Sequence, residues 1–289
     1  MIEYRTLKDT PLDRIHQAFV DAFSDYQVKM DLPFWRFEQM LIRRGFCPDA
    51  SMGAFDGAEL VGFVLNGLRE WKGKPTAYDL GTGVVPSYRR QGITSSILKK
   101  IKALLFDMHI AQYLLEVLTV NESAFSLYQK QGFAVQREFA CFRCSKEQLA
   151  AGSVGCVVRI DDLDLDPLKS FWDFDPSWQN AMASVHALRD AFACVAAKAG
   201  DEIIGYGLID KKSGDIPQLA VSRAHRRSGI GRSILWGLAK ATESGTIGVL
   251  NIEAGEKHII DFLLASGFTA HVSQYEMLLP LVPSQEKGE

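Results

Sequence analysis

The sequence predicts an α/β (α+β) fold built twice, as two tandem copies of one domain, each with a mixed central sheet flanked by helices. Three observations predict it. The chain has 289 residues, enough for about two domains. Strand-like alternation and helix-like periodicity follow one another along the chain. Above all, three segments recur in order. "AFDGAELVGFVLNG" (54–67) returns as "AKAGDEIIGYGLID" (197–210), "VVPSYRRQGITSSILKKI" (84–101) as "AVSRAHRRSGIGRSILWGL" (220–238), and "YQKQGF" (128–133) as "LLASGF" (263–268). The paired glycines Gly62/Gly205, Gly92/Gly229 and Gly132/Gly267 stand 143, 137 and 135 residues apart. The drop after the first pair fits an extra loop, "REWKGKP" (69–75), in the first copy.

The copies are expected at 1–148 and 155–289, joined through the polar, glycine-containing "SKEQLAAGSVG" (145–155). Each opens with a polar, helix-capable stretch. A hairpin follows, with turn signals at Asp56–Gly57 and at "GDE" (200–202). Then come a strand, an Arg-Gly turn, an amphipathic helix, a strand, a short helix and a closing strand. In the first copy the amphipathic helix is carried by Ile97, Leu98, Ile101, Leu104, Leu105 and Met108, which share one helical face.

Composition excludes several classes. A net charge of −3 and 23% charged residues give no basic footprint for nucleic acid. The longest apolar run, "AFACVAA" (191–197), is far short of a membrane span, and "MIEYRTLKDTPLDR" is no secretory signal. The reading is a cytoplasmic protein without a membrane or nucleic-acid partner. Five cysteines suggest no disulfide framework. Cys141 and Cys144 are nominally CxxC, but alternation along a strand puts them on opposite faces, and no second ligand pair accompanies them. No metal is expected.

The Arg-Gly turns are the candidate binding feature. "RRQGIT" (89–94) and "RRSGIG" (226–231) each follow a strand and open a helix. A helix start offers unpaired backbone N–H groups and positive dipole, a site for an anion such as pyrophosphate. Arg89 and Arg90 add charge, and Gly92 permits close backbone approach. The plainer reading is a solvated turn. Neither a P-loop lysine nor a G-x-G-x-x-G fingerprint is present. Downstream, Asn121 is a natural N-cap and Gly132 a natural helix stop. Tyr128 between them shares a face with Ala124, Leu127 and Gln131, so it suits either a core or a working phenol.

R-x-x-G-x-G/A after a "V-x-P"-like strand end, followed by N-x-x-A-x-x-L-Y-x-x-x-G-F, resembles the acyl-CoA-binding region of the GNAT superfamily of N-acetyltransferases. The matching positions are Arg89, Gly92 and Thr94, then Asn121 to Phe133, and in the second copy Arg226, Gly229 and Gly231. Thr94 departs from the family's Gly/Ala. The resemblance implies two GNAT-like acyl-CoA-binding domains and acetyl-CoA as co-substrate. It implies a pantetheine arm bonded by Val84 and Val85, and pyrophosphate held by the turn amides of Gln91, Gly92, Ile93, Thr94 and Ser95. Asn121 would both cap its helix and touch CoA. Tyr128 matches the residue that protonates the leaving thiolate.

The second copy has Leu263 where Tyr128 stands, so catalysis is expected in the first copy, with the second degenerate or structural. The opposite assignment would recruit Tyr275 or Glu253. For the general base, Asp79 is favoured over Glu116. A non-catalytic acyl-CoA sensor is the rival reading. The acceptor is expected to be an amine of a small molecule or peptide. Phe34, Trp35 and Phe37 would wall its pocket or pack their helix, and Asp25 or Asp31 would attract a cation. Trp71 and "FWDFDPSWQN" (171–180) are similarly open. A tandem repeat suits a monomer or homodimer.

Overall fold

The structure is a computed structural model, described over residues 1–25, 32–150, 152, 157–161 and 163–281. Asp31, Cys156 and most of the joining stretch after Ala150 lie outside the described residues. The chain divides into two compact units. The first comprises Met1–Val117, Asn121–Gln136 and Glu276–Glu289; the second comprises Leu118–Val120 and Arg137–Tyr275.

The first unit begins with β1 (Ile2–Thr6), α1 (Leu12–Ala22) and α2 (Phe34–Arg44). α1 buries Ile15, Ala18, Phe19 and Ala22, spaced to form a single stripe. α2 buries Phe37 and Leu41 and stops at Gly45, whose φ of 75° is the left-handed cap geometry that glycine adopts without strain. Then follow β2 (Met52–Asp56), β3 (Glu59–Trp71) and β4 (Lys74–Val84). β1 to β4 form an antiparallel meander. The stretch expected as an extra loop at 69–75 is instead an extension of the β3–β4 hairpin. Left-handed Lys72 and Gly73 make its two-residue turn, so the strands continue to Trp71 and from Lys74.

α3 (Ile93–Asp107) lies next in the chain and buries Ile93, Ile97, Leu98, Ile101 and Leu105, close to the face read from the sequence. It leads to β5 (Gln112–Leu118), which pairs parallel with β4, and then to α4 (Glu122–Lys130). A parallel neighbour after a helical crossover is the expected geometry for such a connection.

The second unit takes most of β6 (Ala134–Ser145), then β7 (Val157–Ile160), α5 (Met182–Ala187), β8 (Phe192–Ala199), β9 (Glu202–Asp210), β10 (Asp215–Ile216), β11 (Gln218–Val221), α6 (Ile230–Lys240), β12 (Thr246–Glu253) and α7 (Lys257–Ala265). β13 (Thr269–Pro280) closes the chain, with residues 276–280 belonging to the first unit. β7, β8, β9 and β11 form an antiparallel sheet, while β12 pairs parallel with β10 and antiparallel with β6. Cys141 and Cys144 are both buried on β6, and among the described residues no cluster of metal-ligating side chains occurs. No helix among them is long and apolar enough to cross a membrane.

Candidate functional site

β4 supplies the centre of the site. Its pairing with β3 steps from Leu65↔Gly81 to Asn66↔Asp79, which leaves Leu80 as one extra residue, a β-bulge. Its parallel pairing with β5 ends at Tyr78↔Leu114. The two strands therefore part at Asp79. A bulge carbonyl needs a donor, and Arg44, the last residue of α2, supplies Nη1 to Leu80 O at 3.0 Å.

Asp79 is buried, at 8% exposure. Its Oδ1 accepts the Gly81 N–H at 2.8 Å, and its Oδ2 accepts the Thr82 hydroxyl at 2.6 Å and the Tyr128 hydroxyl at 3.3 Å. Burial pushes its pKa up to about 6, against the pull of these three donors and of Arg44. Neighbouring Tyr78 is fully enclosed, and burial followed by the nearby Glu116 raises its hydroxyl well above the ordinary range. Glu116 itself is half-buried on β5.

Tyr128 reaches Asp79 because of local sequence around α4. Asn121 Oδ1 accepts the Ala124 N–H at 3.1 Å, capping the helix as expected. Gly132, at φ 96°, ends it and lets the Phe133 N–H return to Tyr128 O at 3.0 Å. Phe133 then packs against both Tyr128 and Tyr113, with ring centroids 5.6 and 5.3 Å apart. Tyr113 in turn donates to Asn66 Oδ1 at 2.8 Å. Tyr128 is thus core on its ring and polar at its tip.

The turn after β4 combines Arg90 at φ 61° and Gly92 at φ 75° with the start of α3. The N–H groups of residues 91–95 belong to the turn and first helical turn, where an α-helix has no internal partners for them. Ile93 is buried, so only its backbone is available; Gln91, Gly92 and Ser95 are exposed and Thr94 half-buried. A Cβ on Gly92 would meet nothing within 4 Å, so glycine serves the backbone conformation there, and the space over the turn is open. Val85 N–H donates to Val61 O at 2.9 Å and its carbonyl accepts from Tyr88. The alternation of an antiparallel ladder then turns Val84 N–H away from β3, toward the parting of the strands.

Arg89 differs from expectation. Its guanidinium does not stand over the turn: Nε donates to Val84 O at 3.1 Å, Nη2 to Ala22 O at 2.8 Å, and Nη1 and Nη2 to the Asp25 carboxylate at 2.7 Å each. The pairing holds Asp25 below the usual carboxylate range, chiefly through the Arg89 hydrogen bond. Asp25, expected to attract a cationic substrate, is used to strap the turn to the end of α1. Arg90, exposed like Arg89, is the second cation of the turn.

The second unit repeats this strap. Arg226 Nε donates to Val221 O at 2.9 Å, Nη1 to Asp173 Oδ1 at 2.9 Å and Nη2 to Phe171 O at 3.0 Å. Arg227 and Gly229 repeat the left-handed pair at φ 65° and 85°. Gly231 has a local reason: a Cβ there would stand 3.0 Å from the Phe262 ring of α7. Leu263, at Tyr128's place, is 1% exposed. Asp79's place is taken by Ile216 when the Arg-Gly turns set the register and by Pro217 when the parallel ladder does. Ile216 and Leu263 lie in one apolar core. Glu253 pairs with Arg137 at 3.6 Å.

Among the aromatic residues of α2, Phe37 is fully buried against Phe19 and His16, while Phe34 and Trp35 remain partly exposed at 39% and 38%. Trp71 ends β3 and is half-buried. Sequence reasoning missed Arg44, Thr82 and Asn66. Only Thr82 had a signal, its spacing of three from a strand carboxylate.

Known proteins share this organisation. The acetyltransferase (GNAT) family matches residues 12–133, and an acetyltransferase (GNAT) domain matches residues 169–278, together well over half of the chain. A GCN5-related N-acetyltransferase from Sphaerobacter thermophilus superposes with a TM-score of 0.74 at 12% identity, covering 98% of this chain and 96% of that one. A tandem GNAT protein from the clavulanic acid biosynthesis pathway gives 0.71 at 13% identity, covering 99% and 100%. At such identities the likeness is one of fold.

Proposed function

Because the chain belongs to the GNAT acetyltransferases, as a tandem of two such domains, we propose that its first unit moves an acetyl group from acetyl-CoA to a primary amine of a small molecule or peptide. The units of the duplication in this reading are 1–148 and 155–289. Acyl transfer is the shared chemistry; the acetyl donor, the amine class and the working half are our reading. The observation that carries it is the hydrogen bond between Tyr128 and Asp79 where β4 and β5 part.

The residues suit the donor substrate. The amides of residues 91–95, the positive end of α3 and Arg90 offer the hydrogen-bond donors and positive charge that a pyrophosphate takes. Val84 N–H offers a backbone partner to an extended amide chain. An arm running from the turn along β4 brings its thioester toward Asp79 and Tyr128. Asn121 keeps α4, and with it Tyr128, in register.

A neutral amine nitrogen attacks the thioester carbonyl carbon, the C–S bond breaks, and the amide forms. The sulfur takes the Tyr128 hydroxyl proton as it leaves. The proton lost by the amine passes, through water, to Asp79, which returns one to Tyr128 along their hydrogen bond. A carboxylate with a pKa of about 6 is matched to that task near neutral pH. Positioning supplies much of the remaining acceleration. The second unit lacks both groups, having Leu263 and Ile216 or Pro217 in their places.

The test is release of free CoA thiol from acetyl-CoA with a panel of amines, including an aminoglycoside, a polyamine, amino acids and a peptide N-terminus. The expected result is release matched by one N-acetylated product. Binding of acetyl-CoA with no amine acetylated across a broad panel would contradict the reading.

A further inference from the structure

The second unit also has strands that part, and there the gap is filled by the chain itself. β10 pairs with β12 at Asp215↔Gly248 and Ile216↔Val249, after which the path turns through Pro217 into β11 and leaves β12 for β9. Diverging strands expose backbone and side-chain polar groups that must find partners when buried. Residues 177–180 supply them. Asn180 Nδ2 donates to Leu250 O on β12 at 2.9 Å, and Asn180 O accepts Gln218 Nε2 on β11 at 2.9 Å. One residue thereby bridges both arms. Asn251, beside Leu250 and in the left-handed region at φ 59°, donates Nδ2 to Ser177 Oγ at 2.9 Å.

The filling is anchored from behind. Trp178 is 1% exposed, and its carbonyl accepts the Ser184 hydroxyl at 2.6 Å. Gln218 Oε1 accepts the Tyr206 hydroxyl at 3.0 Å, and Tyr206 accepts Trp172 Nε1 at 2.7 Å. Ser177, Gln179 and Asn180 are buried together with it. An extended thioester arm carries amide groups that would seek the same strand donors and acceptors, in the manner of an added strand. Here Leu250 O and Gln218 Nε2 are already engaged by Asn180.

We propose that residues 177–180 are a built-in occupant of the second unit's opening, with Asn180 standing where an amide of an acyl-CoA arm would bridge β11 and β12. The chain therefore holds one acyl-CoA per molecule, in the first unit. The strap made by Arg226 and Asp173 preserves the shape of the second turn without a working channel behind it. This rests on the reading of the first unit as an acyl-CoA site.

Calorimetric titration of acetyl-CoA into the full chain, with hydrogen exchange read by mass spectrometry at saturation, tests the proposal. The expected result is one site per chain, at least tenfold slower exchange over residues 84–95, and less than twofold change over 177–180 and 221–231. Two sites, or slowing over 221–231 with faster exchange at 177–180, would overturn it while leaving acyl-CoA binding intact. No binding and no slowing anywhere would remove the acyl-CoA reading and this inference with it.

Discussion

The Tyr128 hydroxyl donates to Oδ2 of Asp79 across 3.3 Å, joining α4 to the residue at which β4 leaves β5. The same carboxylate accepts from Gly81 N–H and Thr82, so its position is fixed by the bulge it sits on. An acid and a base in direct contact can be separated only by changing them one at a time.

Replacing Tyr128 by Phe keeps the ring against Phe133 and removes the phenol. We expect kcat to fall by about 10²–10⁴, the usual range for a lost general acid. Acetyl-CoA affinity should stay within about twofold, because the turn amides are untouched. Steady-state kinetics with a binding titration checks both; an unchanged kcat would return Tyr128 to a purely packing role.

Asp79 sets two pH dependences. As a base it works when ionised, so the rate should rise about tenfold per pH unit below its pKa of about 6 and level off above it. For stability the sign is opposite. The folded pKa lies above the unfolded value of about 3.9, so the stabilising contribution is complete below pH 4 and is lost as pH rises through about 6. Relative to Asp79→Asn, the wild type should lose on the order of 3 kcal/mol between pH 4 and pH 8. Urea unfolding of both proteins at the two pH values measures it.

Arg44 holds Leu80 O and lies close enough to Asp79 to favour its ionised form. Arg44→Gln should move the acidic limb of the rate profile to higher pH and cost about 1–3 kcal/mol for the weakened bulge. Arg44→Lys, which keeps the charge, should bring the limb back toward the wild-type position even where stability is not recovered. A limb that stays at its wild-type pH in Arg44→Gln would limit Arg44 to packing.

Gly67 closely faces the backbone at the end of α2. A Cβ there would lie 2.1 Å from Arg44 O, a backbone atom that cannot swing aside. Gly67→Ala should cost about 3 kcal/mol or more. Gly57→Ala, in open space but at φ 59°, should cost only about 1 kcal/mol by thermal or urea unfolding.

What the sequence disclosed followed from local rules. The buried stripe of α3, the Asn121 cap and the Gly132 stop are each set by neighbours within a few positions. Arg89 shows the limit. Its place beside the turn is visible, but its partner Asp25 is 64 residues away, and that pairing straps the turn to the end of α1. Arg44 bonds Leu80 from 36 residues away, and Asn180 fills its gap through Leu250, 70 residues on. The hairpin at 69–75 was hidden differently: its polar residues suggest a loop, while the Lys72–Gly73 turn extends the strands.

The pH–rate profile of acetyl transfer, run on wild type and Asp79→Asn with a productive amine, tests the central claim most directly. We predict a wild-type acidic limb near pH 6 and, in Asp79→Asn, a rate at least about 100-fold lower with that limb gone. A limb near pH 6 that persists in Asp79→Asn at close to the wild-type rate would contradict it, because the base would then lie elsewhere.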